Sequence, residues 1–520
     1  MTVITSLMLR NFKKFSSLTL NFQPGKNVLI GDNESGKSSI LLALDLVLSN
    51  SRHRVEALGL ESLLSQHAVA AFQAGERRAE LLPELIADVS LSPGVDPDLN
   101  GRQNLSERDA DGLRMRIAPM LDEYGQDIRY VLEQDPQNFP YEYYAVKFST
   151  FSGAPCSGFR RYLRHLLLDS ARIDSDHAAQ EYTRAVFGVS VSLAERYRLE
   201  STWRQQKNYF REQHLSGING ALDTCQFSVR YGGKAGLEAN LDITEDGIPV
   251  RHRGKGRQCF IKTEFALRRR EEHGELHALL LEEPENHLSH VNMKKLVSQL
   301  AAERRTQLFV ATHSSHISSR LDLRNAILLG DGRPVMLKHL SDETAHFFMK
   351  APDNNVLEFA LARKVILVEG DAEFILIEAF YRSLTGKLPE DDGVHVIAIG
   401  GTSFRRYLEL ARLLGNRVAA LRDNDGNYQQ NCVEHYATVL SQDTRVFADD
   451  NDTRSTFEIS LYQDNAALCE TTFSGPRRRL TVQEYMLASK AEAAFSLLRG
   501  HGETLSVPAY IREAIEWISA

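Results

Sequence analysis

The chain has 520 residues, of which 42% are hydrophobic and 25% charged. This is the balance of an ordinary globular protein, and it excludes a disordered or fibrous chain. The length accommodates two to four domains. A net charge of −8 excludes long-range attraction to nucleic acid by the molecule as a whole, so any such contact must come from local basic patches. The five cysteines (Cys156, Cys225, Cys259, Cys432 and Cys469) are scattered without a C-x-x-C pair. That argues against a disulfide framework or a zinc site and fits a reducing compartment. Residues 1–11 lack the apolar core of a secretory signal, and apolar stretches such as 40–48 are too short to span a bilayer. The expectation is a cytoplasmic protein without membrane contact.

Alternating segments at 4–9 and 17–22 predict two strands around a turn at 11–14. An apolar run at 27–30 enters a Gly-containing loop, and a helix is predicted from 37 to 48. A strand is predicted at 85–91, followed by a polar stretch, 96–111, that reads as a loop or insertion. From 160 to 214 the pattern is mostly helical, with Leu199, Trp203 and Phe210 spaced to share a face. Packing on a neighbouring element and a dimer-forming arm both account for that face. Further strands are predicted at 276–281 and 308–312, after which the polar stretch 341–355, with Pro352, breaks the pattern. Beyond it strands at 364–368, 394–399 and 417–421 alternate with helices, which argues a parallel sheet. The expected division is 1–345, with a helical insertion at about 155–225, a linker at 346–362, and a second α/β domain at 363–520.

Gly31-Asp32-Asn33-Glu34-Ser35-Gly36-Lys37-Ser38 matches the phosphate-binding G-x-x-x-x-G-K-[ST] pattern, in its required place between a strand and a helix. The glycines let backbone N–H groups wrap the phosphates, Lys37 neutralises them, and Ser38 ligates Mg2+. The helix start adds its positive dipole end. Asn33, Gly36, Lys37, Ser38 and Ser39 are therefore the expected ATP contacts. Downstream, Leu279-Leu280-Leu281-Glu282-Glu283 is an apolar strand ending in two carboxylates, the form of a Walker B segment. Glu282 would hold Mg2+ and Glu283 would polarise the attacking water. His313 follows the strand at 308–312, where it can reach a γ-phosphate.

The order Leu9-Arg10-Asn11-Phe12, P-loop, Walker B, His313 resembles ABC-type ATPases of the SMC and RecF-like group. The segment in the place of their signature, Gly254-Lys255-Gly256-Arg257-Gln258, lacks the usual Ser-Gly-Gly core. No heptad arm of the SMC kind is present.

The last third carries a second constellation. Val365-Ile366-Leu367-Val368-Glu369-Gly370 is a buried-strand pattern ending in Glu-Gly, with Asp371 and Glu373 after it. Two strands on, Ala420-Leu421-Arg422-Asp423-Asn424-Asp425-Gly426 ends in D-x-D, and Glu458 is a further acid. The carboxyl ends of neighbouring parallel strands converge, so these acids should meet at one edge. Gathered carboxylates repel unless divalent metal joins them; hard oxygen ligands suit Mg2+ or Mn2+, and a metal pair of this kind supports phosphodiester cleavage.

Glu-Gly followed by Asp-x-Asp on successive βα units looks like a Toprim domain, and an ABC-type ATPase followed by Toprim resembles the OLD (overcoming lysogenisation defect) nucleases. The run Glu282-Glu283-Pro284-Glu285-Asn286-His287-Leu288, Gly400-Gly401, and Lys490-Ala491-Glu492-Ala493-Ala494 fit the same family. The resemblance implies an ABC-type P-loop ATPase domain with a helical insertion, followed by a Toprim domain with a Rossmann-like parallel sheet. It implies Glu369, Glu373, Asp423, Asp425 and Glu458 as metal ligands and Lys490 as a stabiliser of charge on the scissile phosphate. ATP and Mg2+ or Mn2+ are the expected cofactors, DNA the expected substrate, and anti-phage defence the expected role. A homo-oligomer, dimer or tetramer, is expected, and some relatives act with a helicase-like or reverse-transcriptase partner. The rival reading is a DNA-clamping ATPase whose Toprim domain is a non-catalytic scaffold. Basic patches that would meet DNA are Arg160-Arg161 with Arg164, Arg268-Arg269-Arg270, Arg405-Arg406 and Arg477-Arg478-Arg479.

Overall fold

The computed structural model describes residues 2–520 apart from 135–137, 157–161, 171–179, 181–182, 185, 188–190, 223–224, 231–235, 268–275, 315–316, 318–319, 331–333, 351–354, 402, 474–479 and 503. The chain divides into two units, Met1–His313 and Ser314–Ala520.

Two large sheets of opposite character dominate the described part of the first unit. Strands Phe15–Asn21, Ile4–Phe12, Leu85–Leu91, Ala110–Pro119 and Tyr144–Thr150 lie side by side in that order, each antiparallel to the next. The edge strand Phe15–Asn21 alternates exposed and buried residues, because only one of its faces is covered. Strands Lys26–Gly31, Gln307–Thr312, Ala278–Glu282 and His165–Asp169 run side by side in that order in the other sheet, each parallel to the next. The first three are buried almost without interruption, as expected of strands covered on both faces, while His165–Asp169 alternates buried and half-buried residues. Helix Lys37–Ser49 lies between the sheets and touches strands of both. It therefore buries Ile40, Leu41, Leu44, Val47 and Leu48 with no polar stripe, and a one-sided amphipathic pattern would not fit there.

Two buried polar side chains stitch this unit together. Gln307, fully buried, accepts from Ile4 N at 2.8 Å and donates to Ile4 O and Gln23 O, each at 2.8 Å. Asp45, on the helix between the sheets, meets Arg54 at 2.8 Å and His165 Nε2 at 3.0 Å.

Several local expectations are corrected. The run from 160, expected as helix, contains the strand His165–Asp169, which extends the parallel sheet beside Ala278–Glu282. Its Leu166-Leu167-Leu168 core is an apolar run too short for periodicity to separate strand from helix. The stretch expected as loop contains strand Asn100–Gly101 and leads into Ala110–Pro119. Helix Leu193–His214 does form, opened by a Ser192/Glu195 capping box, and none of its residues is buried.

In the second unit four parallel strands run in the order Val394–Ala398, Lys364–Val368, Arg417–Leu421, Thr444–Phe447. Val365, Ile366, Leu367 and Val368 are all fully buried, and each such side chain contributes about 1.5–3 kcal/mol. Helices Asp371–Thr385, Lys490–His501 and Ala509–Ser519 complete this core, with Leu376, Phe380, Leu497, Ile511 and Ile515 packed on it. The span expected as a linker holds helices Asp342–Lys350 and Val356–Leu361. Glu409 accepts from Ser341 N and the Thr344 hydroxyl, tying the first of these to helix Phe404–Leu414. Pro352 lies outside the described residues.

Candidate functional site

The nucleotide site follows from strand register. Thr312 sits opposite Ile30, and Glu282 sits opposite both Ala311 and Asp169. The P-loop, the Walker B acids and His313 therefore leave the parallel sheet at one edge. Gly36 opens the helix at φ 99°, and a Cβ there would stand 2.3 Å from the Phe15 ring, so this position requires glycine. Lys37 is only 5% exposed, and its ammonium donates to Gly31 O at 2.7 Å and Asp32 O at 3.0 Å. The loop's own carbonyls thus hold the charge that a phosphate would meet. Burial lowers the pKa of Lys37, opposed chiefly by Glu283 and Asp32. Asn33 and Ser38 are exposed and Ser39 half-buried, all on the same loop and helix start.

Glu283 adopts φ 44° and is fixed by its N–H, which donates to Ala311 O at 2.8 Å. Its Oε2 accepts from Asn286 Nδ2 at 2.6 Å, and its Oε1 lies 3.6 Å from His313 Nε2. The expected water-polarising acid and the expected γ-phosphate sensor thus stand beside one another. Glu285, quoted above only as part of a motif, turns out to join them: its Oε1 accepts from the Thr312 hydroxyl at 2.6 Å and from His313 N at 2.9 Å. Gly256, at the start of helix Lys255–Leu267, approaches the same loop so closely that a Cβ would lie 2.1 Å from His287 O.

The acidic site occupies the carboxyl edge of the second sheet. Strand Lys364–Val368 is followed by a helix leading to its neighbour on one side, after which the chain crosses to Arg417–Leu421 on the other. That is a topological switch point, where α/β sheets open a crevice. Glu369 and Asp423 stand just past these two strand ends. Glu373 is in the first turn of helix Asp371–Thr385, and Glu458 in that of Phe457–Asp464. Asp423 Oδ1 accepts from Phe457 N at 2.8 Å, which draws Glu458 to the cluster. Gly400 and Gly401 adopt φ 62° and 132°, and Gly401 N donates to Glu369 O at 3.1 Å, bracing that strand end.

The electrostatics register the crowding. Burial first, then repulsion from Glu373, Glu369 and Glu458, pushes Asp423 up to about 8. Burial likewise, then Glu458, pushes Glu373 up to about 7 against the pull of Lys490. Glu458 is 2% exposed, and neither of its carboxylate oxygens has a well-directed hydrogen bond; Lys490 Nζ lies 2.9 Å from Oε2. Among the described residues, two cations belong to the site. Lys490 is half exposed and held by Glu458. Arg422, buried between strand end and loop, bridges Glu369 and, at 2.6 Å, Asp425 Oδ2. Burial would lower the Arg422 pKa, but the two carboxylates raise it well above the ordinary value. Sequence reasoning assigned Arg422 no role, since an Arg flanked by acids gives no sign of which one it serves.

Among the described residues, no three His, Cys, Asp or Glu side chains stand as a ready ligand group for a metal ion. The donor chemistry nevertheless fits a divalent cation: oxygen donors only, two acids raised by burial and then by mutual repulsion, and a buried carboxylate short of donors. Of the basic patches, Arg405 is exposed on helix Phe404–Leu414, and Arg406 is paired with Glu343 at 3.0 Å. Arg160-Arg161, Arg268-Arg269-Arg270 and Arg477-Arg478-Arg479 lie outside the described residues. No helix among the described residues is long and apolar enough to cross a membrane.

Comparison with known proteins finds a matching domain in each half of the chain. Residues 361–425 match the family described as overcoming lysogenization defect protein-like, TOPRIM domain, and residues 3–91 match an AAA ATPase domain. The chain is 38% identical over 72 residues to the DNA replication and repair protein RecF of Symbiobacterium thermophilum, covering 13% of this chain and 19% of that protein. It is 40% identical over 52 residues to RecF of Lachnoclostridium phytofermentans, covering 10% of this chain and 14% of that one. The similarity therefore spans less than a fifth of these curated relatives. Among solved structures, the C-terminal region of the Burkholderia pseudomallei OLD protein is similar at 20% identity and TM-score 0.25, covering 30% of this chain and 97% of that one. A RecF–ATP structure is similar at 12% identity and TM-score 0.33, covering 65% and 99%. The chain joins an ATPase domain to an OLD-like Toprim domain.

Proposed function

We propose that this chain is a nucleotide-regulated, divalent-metal-dependent DNA endonuclease of the OLD type, acting in anti-phage defence. The observation that carries the reading is the meeting of Glu369, Glu373, Asp423 and Glu458 at the switch point of a parallel sheet, where burial and mutual repulsion raise Glu373 and Asp423. In the first unit Lys37 and the P-loop amides bind the ATP phosphates, with Asn33, Gly36, Ser38 and Ser39 lining the loop and Glu282 beside the nucleotide's Mg2+. Glu283 orients the attacking water, and His313 senses the γ-phosphate.

In the second unit Glu369, Glu373, Asp423, Asp425 and Glu458 would hold divalent metal. Bound Mg2+ or Mn2+ would supply Lewis acidity and a nucleophile at neutral pH. Asp423 is oriented for that task by the Phe457 N–H, and Lys490, half exposed, can turn its ammonium to the scissile phosphate. Arg405, on the helix after Gly401, offers a sequence-independent phosphate contact. The domain division follows the two chemistries: ATPase up to about residue 345, Toprim from about 363. Cytoplasmic action as a homodimer or tetramer on DNA, with or without a helicase-like or reverse-transcriptase partner, belongs to the same proposal.

The test is nicking of supercoiled plasmid with Mg2+ or Mn2+ by wild type and by Asp423→Ala. Cleavage by wild type alone is expected. Equal cleavage by both, or none by either, leaves the DNA-clamping ATPase with a scaffold Toprim domain as the better account.

A further inference from the structure

Strand register lines up three cations on the antiparallel sheet of the first unit, although they lie far apart in the chain. Arg10 stands opposite Ser17 on one side and Ile86 on the other, Ile86 opposite Arg116, and Arg116 opposite Lys147. The row Ser17, Arg10, Ile86, Arg116, Lys147 therefore crosses all five strands on one face. Ser17, Arg10, Arg116 and Lys147 are exposed, whereas their chain neighbours Leu18, Leu9, Ile117 and Val146 are buried on the opposite face. Neighbouring strands lie about 4.8 Å apart, so the step from Arg10 to Lys147 is about 14 Å. The acids beside the row do not cancel it. Glu84 takes up Arg116 through both carboxylate oxygens, at 2.6 and 2.9 Å, and the buried Asp88 takes up Arg114 and Leu105 N. Among the described residues, neither Arg10 nor Lys147 has a carboxylate partner. Like charges directly opposite one another destabilise a strand pair, and Arg116 and Lys147 are placed in that way. The sheet thus holds an arrangement that an anion across the two strands would relieve.

Building on the reading above that this chain acts on DNA, we infer that the row is a DNA contact on the ATPase unit. The phosphate backbone of a duplex lies across the outer face of the antiparallel sheet, on Arg10, Arg116 and Lys147, with the Ser17 hydroxyl donating at the edge strand. Over about 14 Å of its axis a duplex carries about eight backbone charges, enough to engage all three cations. The row offers nothing to an unstacked base: Ile86, its one apolar member, is 5% exposed, and none of the five residues is aromatic. It therefore holds duplex by charge and fixes its position without reading sequence. On a chain of net charge −8, such a local row also decides which face of this unit a polyanion approaches.

The experiment follows binding of a short fluorescein-labelled duplex by anisotropy as salt is raised over about 50 to 200 mM. It uses the full chain with a non-hydrolysable ATP analogue, in an Asp423→Ala background that leaves the duplex whole. Arg10→Gln combined with Lys147→Gln should lower the slope of log K against log salt by about 2, and should weaken binding equally for two unrelated sequences. Arg10→Lys combined with Lys147→Arg should keep the slope, as should Lys387→Gln, which removes an exposed cation of the second unit. Should the double Gln variant fail to fold, Lys147→Gln alone decides, with a drop of about 1 expected. An unchanged slope in the Gln variants, a loss confined to one sequence, or no duplex binding by the parent chain would overturn the inference. Plasmid nicking by the wild-type chain tells the two failures apart. If nicking is present, only this contact is lost; if it is absent, the nuclease reading falls with it.

Discussion

Stripped of metal, the second unit should lose stability as pH rises through the neutral range, against the trend of an ordinary protein. Asp423 is held at about 8 where a free aspartate sits at 3.8, and Glu373 at about 7 where a free glutamate sits at 4.5. Both are buried. With the folded pKa above the unfolded one, the native state binds more protons than the unfolded chain between the two values. Stability is then complete below about pH 4 and drains away as pH climbs towards about pH 8. Each retained proton contributes a slope of about 1.4 kcal/mol per pH unit. Asp423 alone accounts for about 4 kcal/mol between about pH 5 and pH 8 on that slope. Because Glu373 and Asp423 repel one another their protons leave as a coupled pair, and for the two together a loss on the order of 5 kcal/mol is expected. The assay is urea unfolding of chelator-treated protein at a series of pH values. It is read from Trp517, which lies against Arg417 and Arg445 in this unit, in a Trp203→Phe background. Asp423→Asn should flatten the curve by about one proton, and saturating Mg2+ should flatten it further. Metal-free stability that is level or rising over this window, or an Asp423→Asn slope equal to wild type, would refute the reasoning.

Two further substitutions probe the first unit. Lys37→Ala removes the ammonium now held by Gly31 and Asp32, and ATP turnover should fall by about 100-fold or more, as when a preorganised cationic or hydrogen-bonding contact to a transferring phosphate is lost; the nucleotide response of DNA cleavage should change with it. Cleavage unaltered at every ATP concentration would show that the two activities are uncoupled. Gly256→Ala forces a methyl group to within 2.1 Å of His287 O, so helix Lys255–Leu267 must shift off the Walker B loop at a cost of about 1–3 kcal/mol. Calorimetry giving a wild-type Tm for this variant would contradict the close approach.

What the sequence made legible was what lies close together along it. The P-loop is contiguous, and its strand and helix follow from an apolar run and a Gly-Lys-Ser junction. The parallel strands ending at Glu282 and just before His313, Glu369 and Asp423 announced themselves as apolar runs, because strands covered on both faces need no alternation. Side-chain partnerships across long separations left no local trace. Arg422 finds Glu369 53 residues away, and Glu285 finds His313 28 residues away. Neither pairing can be read from spacing, since each depends on which strands become neighbours. Short runs misled for a related reason: His165–Asp169 is a strand because an open sheet edge receives it, not because its residues exclude a helix.

Gln307 ties the first and last strands of the ATPase unit, reaching Ile4 across 303 positions. The strand it begins, Gln307–Thr312, also separates the P-loop strand from the Walker B strand. The order of synthesis is thus at odds with the order of assembly. A growing chain presents the P-loop strand long before its neighbour exists, and that strand's edge stays open until Gln307 and the residues after it have been made. Contacts so distant in sequence close slowly, and an unpaired apolar strand is prone to pair with another chain in the meantime. The ATP site should therefore be among the last parts of this unit to form on the ribosome, and a chain cut short before residue 307 should yield an aggregating fragment with an intact P-loop sequence and no affinity for nucleotide.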